Sequence, residues 1–315
     1  MTTAIRMSSC HIASSFGRGK RMFHILGSLL LLFMATTLLT SCKKGSAEWK
    51  KGVASLNDDE YEDAVEHFKD SAEKGNIEAQ MVLGFCYYTG MGTDPNPEKA
   101  EKQFRKAAKT GDPVAQAVLG AFLLVNPSRN EDGSIPDRDE IFREPLKYLK
   151  RSAEQDCLFG EFALAVCFAA RMDSVESKDD KKSAMTWFKK VADRPLTDER
   201  IFMDDLKDVI MSSDSLIREF PDPAREAFEY LKDFDDELTA ANLCIVLSQT
   251  MVAYLYADDR YGEPNIAEAE KWFKKAKQNG LSGNGHLAFR LKTTIDASSR
   301  SNREAKADRF SEDRW

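Results

Sequence analysis

Apolar residues recur along the chain at the spacing of one face of an α-helix. The clearest run places Ala100, Phe104, Ala107 and Ala108 at positions i, i+4, i+7 and i+8. Variants of this small-large-small-small stripe begin at five other positions: Ala64, Pro145, Ala184, Ala227 and Ala269. Successive stripes lie 36 to 45 residues apart, which is too irregular for a coiled coil but suits helix pairs joined by variable loops. The pattern predicts an all-α fold built from stacked helix pairs.

The chain also matches itself without a gap. Residues 87–111 align with residues 256–280 at a constant offset of 169 residues, and such self-similarity is typical of repeat architectures. The helix before each of four stripes has a small residue at one aligned position, namely Gly84, Gly120, Ala165 and Ala253. A glycine inside a helix costs about 1 kcal/mol relative to alanine, so its use there predicts that two helix backbones pass closely.

These motifs together resemble a known repeat. The pattern A-x-x-x-L-G-x-x-Y, a glycine-bearing loop and K-A-x-x-W-F-x-K-A-A-x-x-G is similar to the Sel1-like repeat, a relative of the tetratricopeptide repeat. Residues 79–111 carry it best, and the copies around Ala115, Ala184 and Ala269 match in part. The resemblance implies a right-handed α/α solenoid that binds protein partners. We place this solenoid at residues 57–295, with an insertion near residues 193–223, and expect a charged, disordered tail at residues 296–315.

The amino-terminal segment has the features of an export signal. Lys20 and Arg21 precede an apolar run, which ends in Leu-Thr-Ser-Cys at residues 39–42. This ending resembles the lipobox of bacterial lipoproteins and implies a signal peptide at residues 1–41, an acylated Cys42 and a short linker to residue 56. Two or more acyl chains hold a protein stably on a membrane. Lys43, by resemblance to Gram-negative lipoproteins, implies the outer membrane, on its periplasmic face.

Three alternatives remain open at this end of the chain. The signal peptide could be cut elsewhere, the apolar run could stay as an uncleaved anchor helix, and translation could start at Met1, Met7 or Met22. Cys42 as the lipidation site is the interpretation that we favour.

Charge argues against nucleic acid as a partner. Four of the 45 basic residues and none of the 52 acidic residues precede Cys42, so acidic residues dominate the rest of the chain. An acidic surface repels phosphate backbones. Four cysteines follow Cys42 at positions 86, 157, 167 and 244, and their spacing leaves open whether any of them form disulfides.

Candidate chemistry is sparse. His67 and His286 are the two histidines after Cys42, and they lie too far apart in a solenoid for a zinc site or a histidine-based triad. Ser71 and Lys74 satisfy an S-x-x-K pattern, but sister repeats place Ala107 and Ser152 at the position of Ser71, which favours a packing role. We therefore expect no catalytic site, no metal site and no cofactor.

Two aligned positions on the first helices of the pairs are candidates for a peptide groove. One position holds Gln80, Gln116, Glu161 and Gln249, and the other holds Tyr87, Phe168 and Tyr256. In tetratricopeptide arrays the first helices line the concave surface, so these side chains could bind a peptide. They could equally serve the packing of the repeats. We favour packing for the aromatic residues and leave the role of the other four open.

The leading hypothesis is therefore a lipid-anchored, non-catalytic scaffold of the bacterial cell envelope that binds a protein or peptide. One alternative is a cell-wall-processing enzyme or a peptidoglycan-binding accessory factor. Another is a structural subunit of an envelope complex.

Overall fold

A computed structural model describes residues 47–58, 60–126, 136–171, 178–197, 238–258, 263–283 and 285–312. Over these ranges the regular structure consists of eleven α-helices: α1 Ala47–Asn57, α2 Tyr61–Glu73, α3 Ile77–Thr89, α4 Pro97–Ala108, α5 Pro113–Val125, α6 Arg138–Ala153, α7 Leu158–Arg171, α8 Lys178–Ala192, α9 Ala240–Ala257, α10 Ile266–Gln278 and α11 His286–Glu312. The prediction of an all-α repeat fold is confirmed. The predicted signal peptide and Cys42 lie outside these ranges.

The helices form five pairs followed by one terminal helix. Each odd-numbered helix up to α9 packs against the helix that follows it, and each from α3 onward packs against the helix that precedes it. Helix α9 also contacts α7, so α9 follows α8 in the array although residues 198–237 separate them in sequence. The predicted insertion therefore lies between two adjacent pairs, and the stripe predicted at Ala227 falls outside the described residues.

Asn242 joins the two sides of this insertion. Its side-chain nitrogen Nδ2 donates to the carbonyl oxygen of Thr197 at 2.7 Å, and its oxygen Oδ1 accepts from the backbone N–H of Thr197 at 2.9 Å. The Asn242 side chain thus pairs with both backbone polar groups of Thr197, as a neighbouring strand would. The chain on either side of residues 198–237 is held together at this point, and the array continues without a break.

Glycines mark where helices of one pair cross closely. A Cβ atom on Gly84 would lie 2.6 Å from the ring of Phe104, and one on Gly120 would lie 2.6 Å from Leu149. The large apolar residue of each stripe therefore fills the space that the glycine leaves empty, and it is almost fully buried. Close packing offsets the low helix propensity of glycine, as the sequence pattern predicts.

The amino-terminal boundary of the solenoid is corrected by the structure. Residues 47–56, predicted as linker, belong to helix α1, in which Trp49 and Leu56 are buried. Gly52 faces Phe68 at the same kind of close crossing, with its Cβ position 2.8 Å from the ring. Lys51 occupies the position of the leucine in the A-x-x-x-L-G motif, and this departure hides the first helix from a motif search.

The carboxyl-terminal boundary is corrected as well. Helix α11 continues through residues 296–312, where we expected a disordered tail, and residues 313–315 lie outside the described ranges. Leu291, Ile295 and Ser298 form one buried face at helical spacing. The Ser298 hydroxyl donates to the carbonyl oxygen of Ala257 at the end of α9, at 2.6 Å. The packed face of the helix therefore extends beyond residue 295, at least to Ser298.

Candidate functional site

The four aligned polar residues of the predicted groove are not at the surface. Gln80, Gln116 and Glu161 lie in the first turns of α3, α5 and α7, and Gln249 lies in the middle of the longer α9; the four side chains are 6%, 7%, 0% and 1% exposed. Buried polar side chains need hydrogen-bond partners inside the protein. Of the two roles left open for this position, burial favours packing of the repeats over the lining of an open groove, because the position lies between helix pairs.

Two of these side chains bond to the preceding helix pair. Gln80 Nε2 donates to the carbonyl oxygen of Ala72 at 3.2 Å, and Gln249 Nε2 donates to that of Ala192 at 3.1 Å. Ala72 and Ala192 end their stripes at the same position, in the last turns of α2 and α8. Carbonyl groups in a last turn lack a donor four residues on, so the glutamines supply one from the next pair.

The same position also bonds forward, to the end of the second helix of its own pair. Asn279 Nδ2 donates to Gln249 Oε1 at 3.0 Å, and Gln155 Nε2 donates to Gln116 Oε1 at 3.2 Å. Both donors stand two residues beyond the last residue of their stripes. We call this contact, between the aligned polar residue and the residue two positions after the stripe, the polar latch.

The fourth pair has a charged form of the latch. Glu161 accepts from Arg194 at 2.8 Å and lies 2.6 Å from Lys190 Nζ, while its own side chain is fully buried. The hydrogen bond to Glu161 raises the pKa of Lys190, and a further bond to Asp156 acts in the same direction. Both oxygens of the buried carboxylate are thus engaged by cations. This arrangement suits a structural contact.

The first two helix pairs have other residues at the positions of the polar latch. Glu48 and Lys74 occupy the latch positions of the first pair, with Lys74 Nζ 3.8 Å from Glu48 Oε1. In the second pair, Thr110 occupies the position of the latch donor, but its hydroxyl donates to the carbonyl oxygen of Ala107 at 2.7 Å. Among the described residues, the buried Gln80 Oε1 has no hydrogen-bond donor. The second pair therefore has an incomplete latch.

The aromatic residues of the predicted groove do reach the surface. Tyr87, Phe168 and Tyr256 are half-buried and pack against the core. A lysine ammonium approaches two of their rings: Lys99 Nζ lies 5.4 Å from the centroid of Tyr87, and Lys189 Nζ lies 4.9 Å from that of Tyr256. The aromatic side chains thus both pack against the core and contact solvent, whereas the four aligned polar residues are buried.

A basic pocket lies beside Tyr256. It has a volume of about 310 Å³ and is lined by residues of helix α8: Lys181, Lys182, Met185, Thr186 and Lys189. Lys189 Nζ donates to the hydroxyl oxygen of Tyr256 at 2.5 Å. The sequence analysis missed this pocket, although the spacing i, i+1, i+4, i+5 and i+8 places its residues on one face of a helix.

The described residues contain few reactive groups. Cys86, Cys167 and Cys244 are buried and form no disulfide with one another, and burial raises the pKa of Cys86 to about 12, which keeps it protonated at neutral pH. His67 Nδ1 lies 3.7 Å from Glu48. In this part of the chain no group of His, Cys, Asp and Glu side chains could hold a metal ion, and no helix is long and apolar enough to span a bilayer.

Stacked helix pairs joined by buried polar latches define the class of this protein: it is an α-helical repeat protein. The family model of the Sel1 repeat matches residues 77–112 and 246–281, which are most of the second and fifth helix pairs. These two segments therefore match the Sel1 repeat, as the resemblance of their motifs implies.

Comparison with known proteins gives partial matches. An F-box protein of Arabidopsis thaliana is 31% identical over 105 residues, which cover 33% of this chain and 25% of that protein. The chain thus spans about a quarter of this curated relative. A Sel1 repeat protein from Oxalobacter formigenes is 20% identical, with 74% and 85% of the two chains covered and a TM-score of 0.36. A protective antigen of uropathogenic Escherichia coli with an SLR fold is 16% identical, with 76% and 53% covered and a TM-score of 0.34.

Proposed function

We propose that this protein is a lipid-anchored, non-catalytic scaffold of the bacterial cell envelope that binds a protein partner on the surface of its helix pairs. The observation that carries the proposal is the internal use of the polar residues. Gln116, Glu161 and Gln249 are buried and bonded within and between helix pairs. The buried polar groups of the described residues thus join successive helix pairs to one another, and a scaffold built from repeats requires such contacts between its repeats. Proteins built from Sel1 repeats generally mediate protein–protein interactions.

The anchor is proposed at Cys42, in a sequence that resembles a lipobox. Helix α1 begins at Ala47, so four residues separate the proposed acylated cysteine from the solenoid, which begins five residue steps after Cys42. Five residue steps span at most about 17 Å when fully extended. The first helix pair would therefore stay close to the lipid surface, which we propose to be the periplasmic face of the outer membrane.

The anchor is tested by intact mass and membrane fractionation of the wild type beside Cys42→Ala. We expect a mature wild-type chain that starts at an acylated Cys42 and follows the outer-membrane fraction. The variant should lack the acyl mass and retain its signal peptide. A wild-type chain without acyl groups would overturn the proposed anchor and leave the repeat fold unaffected.

The scaffold function is tested by crosslinking in the native cells. Photoreactive residues are placed one at a time at an exposed lysine of each pair: Lys69, Lys102, Lys147, Lys182 and Lys274. At least one of these sites should capture a specific protein. Absence of a specific crosslink from the sites tested on all five pairs would contradict the scaffold. Turnover of purified muropeptides by the full-length protein would instead support a cell-wall enzyme.

A further inference from the structure

In helix α4, the residue that follows the large residue of the stripe is Arg105, and carboxylates balance its positive charge. Its guanidinium donates to Glu101 at 2.7 Å and to both oxygens of Glu144 on α6, at 2.6 and 2.9 Å. The bond from Arg105 holds the pKa of Glu144 below its ordinary value. The guanidinium thus bonds to one carboxylate of its own helix and to one carboxylate of the next helix pair.

Lys189 occupies the position of Arg105 in helix α8, since each follows the large residue of its stripe. Met185 stands where α4 has Glu101, so the carboxylate of the same helix is missing. Within the described ranges, no carboxylate forms a salt bridge with Lys189, and its ammonium donates to the Tyr256 hydroxyl. An ammonium group has three N–H donors, and among the described residues the Tyr256 hydroxyl takes one of those of Lys189.

Two more lysines surround the same pocket. Lys181 is half-buried, and burial lowers its pKa while the nearby Asp258 acts in the opposite direction. Lys182 is exposed at the rim, and Met185 provides apolar surface between the cations. A partly desolvated cation interacts more strongly with an anion than a cation in open water does. In a chain of net charge −7, this concentration of positive charge is local.

We infer that this pocket binds an acidic segment of the protein partner, with carboxylates at the lysines and an apolar side chain against Met185. Lys181 and Lys189 are eight residues apart on the helix, or about 12 Å along its axis. An extended peptide covers that distance with about four residues. The segment therefore has acidic residues at i and i+4 and an apolar residue between them. This inference rests on the scaffold function proposed above and names the chemistry of its partner.

The test measures binding of a fluorescein-labelled ten-residue peptide with the repeat Glu-Ser-Leu-Ser, which places glutamates four residues apart with a leucine midway between them, using full-length protein in detergent micelles. Fluorescence anisotropy should show saturable binding by the wild type. Binding should weaken at least tenfold in Lys181→Glu/Lys189→Glu. The matched control is Lys102→Glu/Lys106→Glu on α4, which makes the same charge change at exposed lysines and should alter affinity less than twofold.

Three results would overturn the inference: no binding by the wild type, equal binding of a peptide with Gln in place of Glu, or equal weakening by both charge reversals. If Lys181→Glu/Lys189→Glu does not fold, Lys181→Met/Lys189→Met serves as the second variant, with the same expected loss. Failure of the pocket alone leaves a specific crosslink to a partner in cells intact. Failure of the scaffold proposal removes that crosslink as well.

Discussion

The fourth and fifth helix pairs fill the same latch with different chemistry. In the fourth pair, the buried carboxylate of Glu161 lies between Lys190 and Arg194. In the fifth pair, the buried amide of Gln249 donates to the carbonyl of Ala192 and accepts from Asn279. The backbone positions are equivalent. Each oxygen of Glu161 lies within salt-bridge distance of a cation, and the amide of Gln249 both donates and accepts a hydrogen bond.

The comparison shows that the latch requires matched partners and does not require one residue type. The carboxylate pairs with cations and the amide pairs with another amide, because a buried polar group needs a partner of complementary charge or hydrogen-bonding capacity. The two forms should differ in what happens when a partner is lost. An unpaired buried charge destabilises a protein by several kcal/mol, whereas an unpaired amide costs about 1–3 kcal/mol.

The largest effect is expected when the charged latch loses both cations. Lys190→Met/Arg194→Met should lower the free energy of unfolding by about 3 kcal/mol, the lower end of the range for broken buried pairs, because the two cations are themselves partly exposed. Urea unfolding followed by circular dichroism measures this loss. Lys102→Met/Lys106→Met on α4 is the control and should change stability by less than about 0.5 kcal/mol. A loss below about 1 kcal/mol in the α8 variant would contradict the charged latch.

A smaller effect is expected when the charged latch is converted into an amide latch. Glu161→Gln/Arg194→Gln copies the pair Gln116 and Gln155, and its stability should come within about 1 kcal/mol of the wild type. Each single substitution should be less stable than the double variant, because it leaves one partner mismatched. A double-mutant cycle measures this coupling. Strictly additive single effects would show that the two side chains do not act as a pair.

The smallest effect is expected where the latch is incomplete. Thr110→Asn, which copies Asn279 of the fifth pair, should give Gln80 Oε1 a donor and raise the free energy of unfolding by about 0.5–1 kcal/mol. The reverse change, Asn279→Thr, should lower it by a similar amount. Thermal unfolding of both variants provides the measurement. A destabilised Thr110→Asn protein would mean that the bond from Thr110 to Ala107 matters more than the missing donor.

Much of the fold could be predicted from the stripes and the motifs. The spacing of Ala100, Phe104 and Ala107 indicates a helix face, and Gly84 indicates a close crossing, because both effects act within a few turns of one helix pair. Helix α1 was missed because Lys51 breaks the motif there, although Gly52 contacts Phe68 like its counterparts. The start of α11 as a packed helix was included in the predicted solenoid, but its continuation past residue 296 was not.

The candidate site was harder to predict. The alignment of Gln80, Gln116, Glu161 and Gln249 was visible in the sequence, but the direction in which they point was not. Their partners lie 30 to 39 residues further on in the three completed latches, after loops of different length. A polar residue on a helix predicts solvent contact by default, and only the neighbouring helix ends show that it is buried.

The sequence by itself determined the repeat class, the helix pairs and the close crossings, because helical periodicity and glycine packing are local properties of the chain. Tertiary structure alone decided which polar residues form latches and that Lys189 of α8, within the described ranges, bonds to Tyr256 and forms no salt bridge with a carboxylate. Those outcomes depend on side chains from different helix pairs meeting in space, as Lys189 meets Tyr256 across 67 residues. Burial and charge pairing are properties of the assembled array, and no single repeat contains them.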